Sequence, residues 1–164
     1  MAWSRTWRRV RREITRYRRA AGKLGALRWR DWKDLVRAQL ALARAQREMR
    51  SLPTGGMVSD DVSVRGVLPV PARIDEARRI ALAVNRAAEF GFFRPRCLVK
   101  SRALRKMLDE DGLDGAEVRV GVLLVHGRFQ AHAWVEYGGQ VVGDDPEKVS
   151  RFVPMPGINV ADLE

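Results

Sequence analysis

The sequence contains one cysteine and two histidines among 164 residues. With a single cysteine no intramolecular disulfide can form, so nothing suggests an oxidising compartment. No run of 18 uncharged apolar residues occurs, and the first twenty residues are rich in arginine. We therefore expect neither a transmembrane helix nor a secretory signal peptide, and predict a cytoplasmic protein. The chain is long enough to bury a hydrophobic core without disulfides.

Acidic residues are scarce in the first third of the chain. Residues 1–50 contain 16 Lys and Arg against 4 Asp and Glu, whereas the remaining 114 residues contain 15 and 16. The same third holds four of the five tryptophans. A cluster of turn-forming residues at 51–56 separates the two parts. We therefore predict a basic, helical, tryptophan-containing extension over residues 1–56 and a catalytic domain over residues 57–164.

Apolar side chains recur at helical spacing in the basic extension. They are Trp3, Trp7, Val10, Ile14, Tyr17, Ala21 and Leu24. A second helical pattern runs from about Trp32 to Met49. An arginine-rich segment with tryptophans also fits a nucleic-acid-binding protein or a helix at a membrane surface. We rank packing on this chain or on a partner protein first, a membrane surface second and nucleic acid last.

The C-terminal part changes from helical to strand periodicity. Residues 57–70 show no clear pattern. The predicted helices are Ile74–Phe90 and Cys97 to about Asp109, and the predicted strands are Glu117–Val125, Phe129 to Tyr137 and Gln140 to Asp144. The last dozen residues are predicted to be irregular. The fold class is therefore α+β, in which a helix packs on a small antiparallel sheet.

Cys97 is the first candidate for chemistry. A lone cysteine is more often an inert, buried small hydrophobe than a nucleophile. Cys97, however, follows a turn and begins a helix, where unsatisfied backbone N–H groups and the helix dipole favour a thiolate. Arg94, Arg96 and Lys100 are close in sequence and add positive charge. We predict that Cys97 is a nucleophile that faces the sheet.

His132 lies on the central predicted strand, on one face with Gln130, Trp134 and Glu136. A histidine there could also be a structural residue satisfied by hydrogen bonds. The other histidine, His126, falls in a predicted turn. We predict that His132 is the acid/base partner of Cys97. The backbone N–H of Cys97 is the expected first donor to the oxyanion of the reaction, and Gln130 is a candidate second donor. One cysteine and two histidines at these spacings give no zinc site, so we expect neither a metal nor a cofactor.

An aspartate pair follows the third predicted strand and could complete a catalytic triad. If the turn before this strand has two residues, Gly138 and Gly139, then Asp145 falls opposite His132. If the turn has three residues, Asp144 falls there instead. The spacing alone leaves both alternatives open.

The candidate residues lie in segments that resemble a known family. These are CLVKSRAL at residues 97–104, Gly112 after that helix, AHAWVE at residues 131–136, and Gly143 followed by Asp144. They closely resemble the bacterial lasso-peptide leader peptidases of the transglutaminase-like superfamily, the peptidase part of the lasso-peptide B protein. The resemblance covers about residues 70–150. One departure is Lys100, where relatives often carry arginine.

The resemblance implies a papain-like cysteine peptidase with Cys97, His132 and Asp144 as its triad. It implies removal of the leader from a ribosomally made precursor peptide through an acyl-enzyme thioester. A separate protein would recognise the leader, and an ATP-dependent cyclase would then close the lasso ring. Two alternatives are open: acyl transfer to an amine, as in transglutaminases, or a basic binding protein without catalysis.

Overall fold

The chain folds as three long helices followed by a small antiparallel sheet, in a computed structural model that describes residues 29–51 and 73–155. The helices are α1 (Trp29–Ser51), α2 (Ile74–Phe90), α3 (Cys97–Glu110) and a short α4 (Pro146–Val149). The strands are β1 (Glu117–Val125), β2 (Arg128–Tyr137), β3 (Gln140–Val142) and β4 (Val153–Pro154). This arrangement confirms the predicted α+β class.

Two sequence predictions fall outside the described residues. They are the apolar stripe between Trp3 and Leu24 and the domain boundary at residue 56. These stay predictions. Within the part of the chain that the structure describes, no helix is long and apolar enough to cross a membrane.

Helix α1 contains neither glycine nor proline, and it runs a few residues beyond the predicted span at both ends. Its buried residues recur at steps of three and four and belong with α2 and α3 to one hydrophobic core: Ala38, Ala41, Leu42 and Ala45. Asp34 is also buried, and its carboxylate accepts a hydrogen bond from Arg79 of α2. Arg37 reaches Asp111, just after α3, at 2.7 Å. Apolar burial and two ion pairs therefore fix α1 against its neighbours.

Turn residues between α2 and α3 explain why α2 ends and α3 begins where the sequence predicts. Gly91 ends α2, and Pro95 precedes Arg96, whose extended backbone (φ −69°, ψ 161°) leads into α3 at Cys97. Helix α3 ends at Glu110, and Gly112, two residues later, has a positive φ of 68°. Helix α3 packs against both α2 and β2, so the residue at its N-terminus lies beside the sheet.

The sheet has the strand order β3-β2-β1-β4. Two-residue turns join the first three strands, and both turn residues have positive φ in each case: His126 with Gly127, and Gly138 with Gly139. Such turns match the twist of the strands they connect. The predicted irregular C-terminus is wrong for Val153 and Pro154, which pair with β1 as an edge strand. Proline is tolerated there because an edge strand has one unpaired side.

The two faces of β2 pack in different clusters. Val135 and Tyr137 enter the main core with the helices, whereas Trp134 packs with Val149 and Phe152 in a second cluster. Gly121 of β1 makes room for this second cluster, because a Cβ there would lie 2.8 Å from the Trp134 ring and 2.9 Å from the Val153 carbonyl. His132 pairs directly with Gly121 and therefore lies on the Trp134 face.

Candidate active site

His132 and Asp144 form a direct hydrogen bond. The Nε2 atom of His132 lies 2.7 Å from the Oδ2 atom of Asp144, and the two side chains are only 11% and 10% exposed. The imidazole ring also packs against Phe152, with ring centroids 5.2 Å apart. A histidine held on one nitrogen by a carboxylate and packed on one side by an aromatic ring has a fixed orientation.

The early end of strand β3 explains why Asp144, not Asp145, reaches His132. Val135 pairs with Val142, which is the register of the two-residue turn, and continued pairing at that register would place Asp145 opposite His132. The strand, however, ends at Val142, two residues earlier than predicted. Gly143 then adopts a positive φ of 80°, which turns the chain out of the strand.

Asp145 has a different role from its neighbour. Its Oδ1 atom accepts a hydrogen bond of 3.0 Å from the backbone N–H of Glu147, and Pro146 is the first residue of α4. This is the geometry of a helix N-cap followed by proline. Asp145 therefore serves the turn into α4, a short helix that the sequence analysis did not predict.

The surroundings of Asp144 keep its carboxylate ionised. Burial raises the pKa of this carboxyl, but the backbone N–H of Asp145, the ammonium of Lys100 and the His132 ring together outweigh burial, so the pKa lies below its ordinary value. The Asp145 N–H donates to Oδ1 at 3.0 Å, and Lys100 Nζ lies 3.8 Å from Oδ2. An ionised carboxylate only accepts hydrogen bonds, so Nε2 of His132 carries the proton. In the neutral ring, Nδ1 is then unprotonated and can act as a base.

Cys97 is the first residue of α3 and is half-buried. The first turn of an α-helix has backbone N–H groups without intrahelical partners, and α3 has no acidic residue in this turn. The N–H groups of this turn are therefore available as hydrogen-bond donors for an oxyanion.

Two contacts join the Cys97 face of α3 to the segment that carries Asp144. Residues 97, 100 and 104 lie along one side of a helix. Lys100 Nζ donates to the carbonyl of Gly143 at 3.3 Å, and a Cβ on Gly143 would lie 2.7 Å from Leu104 Cδ2. The structure thus places Asp144 in contact with both Lys100 and His132, and Cys97 lies one helical turn before Lys100 in α3.

The remaining polar and charged candidates from the sequence are exposed. Gln130 is exposed on the strand, and His126 is exposed in a turn. Arg94 and Arg96 are exposed as well. Ser101, on the Cys97 side of α3, is buried, and its hydroxyl has no hydrogen-bond partner among the residues that the structure describes.

Sequence reasoning missed Asn85. Its Nδ2 atom donates to the Gly143 carbonyl at 2.9 Å from the middle of α2. The only local signal was an amide side chain among the alanines of a helix, where asparagine has low propensity. No group of three or more His, Cys, Asp and Glu side chains able to hold a metal ion occurs within residues 29–51 and 73–155.

Comparison with known proteins gives one result that bears on this arrangement. A family model described as the transglutaminase-like superfamily matches residues 21–156 of the chain. The matched range includes α1 to α4, all four strands and the residues Cys97, His132 and Asp144. Neither the curated proteins nor the solved structures contain a significant match.

Proposed function

Because this chain belongs to the transglutaminase-like superfamily, whose members are typically cysteine-dependent enzymes, we propose that it is a cysteine peptidase. In this proposal Cys97 is the nucleophile, His132 is the acid and base, and Asp144 orients the imidazole. The observation that carries the proposal is the 2.7 Å hydrogen bond between His132 Nε2 and Asp144 Oδ2, which leaves Nδ1 free to exchange a proton with the thiol.

The reaction would proceed in two acyl-transfer steps. His132 Nδ1 takes the thiol proton, and the Cys97 sulfur attacks the carbonyl carbon of the scissile peptide bond. The backbone N–H of Cys97 donates to the oxyanion that forms. When the tetrahedral intermediate collapses, the C–N bond breaks and the imidazolium gives its proton to the leaving amine. Water, deprotonated by Nδ1, then attacks the thioester, which releases the carboxylic acid and restores the thiol.

We propose a lasso-peptide precursor as the substrate, with cleavage at the junction between leader and core. The support is the resemblance of CLVKSRAL and AHAWVE, with Gly143 and Asp144, to the leader peptidases of that pathway. In this proposal a separate protein binds the leader and presents the junction to Cys97. Cleavage frees the N-terminal amine of the core for an ATP-dependent cyclase.

A second candidate function is acyl transfer to an amine. The family supports it equally, since transglutaminase-like enzymes include both kinds of chemistry and fold alone does not decide the acceptor. The two reactions share the acyl-enzyme and differ only in whether water or an amine attacks the thioester.

Mass spectrometry of a candidate precursor peptide distinguishes these reactions. The peptide is incubated with this protein and a leader-binding protein, with and without a primary amine such as methylamine. Cleaved leader with a free carboxylate supports the peptidase, and leader carrying the amine at its new C-terminus supports the transferase. The Cys97→Ala variant is the matched control. An intact peptide in every reaction, from a folded protein with an alkylatable Cys97, contradicts the proposed substrate.

A further inference from the structure

The carbonyl oxygen of Gly143 accepts hydrogen bonds from two different helices. Asn85 Nδ2 of α2 lies 2.9 Å away, and Lys100 Nζ of α3 lies 3.3 Å away. Both side chains are partly buried. Strand β3 has already ended at Val142, so this peptide group lies beyond its strand pairing. The Gly143 carbonyl is therefore hydrogen-bonded by side chains of the two helices instead of by a neighbouring strand.

The packing beneath Gly143 restricts the same peptide group. Gly143 has a positive φ of 80°, and a Cβ there would lie 2.7 Å from Leu104 Cδ2 and 3.3 Å from Ala81 Cβ. The backbone thus lies directly against α2 and α3. The two hydrogen bonds fix the direction of the carbonyl, and the packing against Leu104 and Ala81 fixes the distance between this backbone and the two helices.

Gly143 immediately precedes Asp144, so the orientation of its carbonyl sets the direction in which the Asp144 side chain leaves the backbone. Lys100 also lies 3.8 Å from Asp144 Oδ2, the atom bonded to His132. One lysine therefore contacts both the backbone before the aspartate and the carboxylate itself.

We propose that Asn85 and Lys100 are positioning residues, which hold the Gly143 peptide so that Asp144 meets Nε2 of His132. The inference rests on the proposed function, because it assigns these two residues to the same Cys97 and His132 chemistry. Asn85 acts through the backbone alone. Lys100 acts through the backbone and through its charge, which offsets the cost of keeping a carboxylate in a largely buried site.

The test reads the histidine ring itself, without any peptide substrate. The chain has two histidines, so ¹⁵N NMR of the histidine-labelled protein gives two sets of ring signals, and His126 is an internal reference. In the Cys97→Ala background, at a pH where imidazole is neutral, we expect His132 to carry its proton on Nε2. Asn85→Ala and Lys100→Met, each in that background, should shift His132 toward the Nδ1–H form and leave His126 unchanged.

The rate at which iodoacetamide alkylates Cys97 is a second measurement, made beside the His132 tautomer. In chains that retain Cys97, Asn85→Ala and Lys100→Met should slow alkylation by roughly tenfold to a hundredfold, the scale of loss that follows from a small misplacement of reacting groups. Lys100→Arg should restore most of the rate, because arginine keeps the donors and the charge. Lys106→Met, on the exposed side of the same helix, is the matched control.

Two outcomes overturn the proposal. One is a wild-type tautomer and alkylation rate in both variants. The other is slow alkylation with an unchanged His132 tautomer, which would mean that the residues act elsewhere. If Lys100→Met fails to fold, Asn85→Ala, which removes no charge, decides the result. Since neither measurement uses a peptide, absence of leader cleavage by the wild type would contradict the proposed function and leave this result standing.

Discussion

The His132 ring is hydrogen-bonded to Asp144, although strand pairing continued at the observed register would have placed Asp145 opposite it. The backbone turn at Gly143 makes the difference, since it takes the chain off the strand before the aspartates. Asp144 then points to the imidazole and Asp145 caps α4. The two adjacent carboxylates therefore have separate roles, which mutation can distinguish.

Removal of either reacting group should abolish peptide cleavage. We expect Cys97→Ala and His132→Ala each to lose nearly all activity, because nucleophile and base act as a unit. Mass spectrometry of the peptide product measures the loss, and thermal melting checks that the fold remains. A variant that keeps more than a few per cent of wild-type activity would contradict the assignment of that residue.

The aspartate pair provides a matched comparison. Asp144→Asn should lower the rate by two to about four orders of magnitude, because an amide does not hold the histidine in the required tautomer. Asp145→Asn should change the rate little, and stability should change little too, since asparagine is as good an N-cap as aspartate. Parallel kinetics on the two variants measure both effects. A larger loss in the Asp145 variant would show that the wrong carboxylate has been assigned.

The pH dependence of stability should report the environment of Asp144. Its pKa in the folded protein lies below the ordinary value of 3.8. Asp144 therefore contributes stability at every pH above that ordinary value, and the contribution is lost as pH falls below 3.8 through the folded pKa. Urea unfolding of the wild type and Asp144→Asn at several pH values measures it. We expect the difference in unfolding free energy between them to shrink below pH 3.8, and a constant difference would refute this.

Substitution of Gly121 should destabilise the second hydrophobic cluster. A Cβ there would lie 2.8 Å from Trp134 Cη2 and 3.0 Å from Phe152 Cβ, so the ring or the chain must shift. We expect Gly121→Ala to lower the unfolding free energy by roughly 1–3 kcal/mol, as overpacking does. It should also lower activity, because Phe152 packs on the His132 ring.

Gly139→Ala is the control for Gly121→Ala. Gly139 has a positive φ of 71°, and a Cβ added there would meet open space. The substitution should therefore introduce backbone strain of only about 1–2 kcal/mol and leave activity unchanged. Chemical denaturation measures both variants. Equal activity in the two would show that the cluster around Trp134 does not support His132.

Local sequence signals were sufficient to predict most of the elements. The bounds of α2 and β1 agree with prediction, and β2 begins only one residue earlier, because changes of period coincide with turn residues there. Cys97 at a helix start and His132 on the central strand follow from the same signals.

The parts that were not predicted depend on contacts distant in sequence. Strand β3 ends early because Gly143 turns against Leu104, and β4 exists because β1 offers an edge to Val153 and Pro154. Asn85 is separated from Gly143 by 58 residues, so no local pattern connects them. The choice of Asp144 over Asp145 came from family resemblance, since the strand spacing alone left both open.

The packing of Phe152 on His132 has a consequence for protein synthesis. A ribosome makes Cys97 first, then His132, Asp144 and Phe152, so the proposed nucleophile precedes the two residues that orient its base by 47 and 55 positions. A nascent chain that ends before Asp144 can contain Cys97 and His132 but has no carboxylate to set the tautomer of His132. In the proposed mechanism, the growing chain therefore stays inert toward peptides, including neighbouring nascent chains, until Asp144 and Phe152 have been synthesised and contact His132.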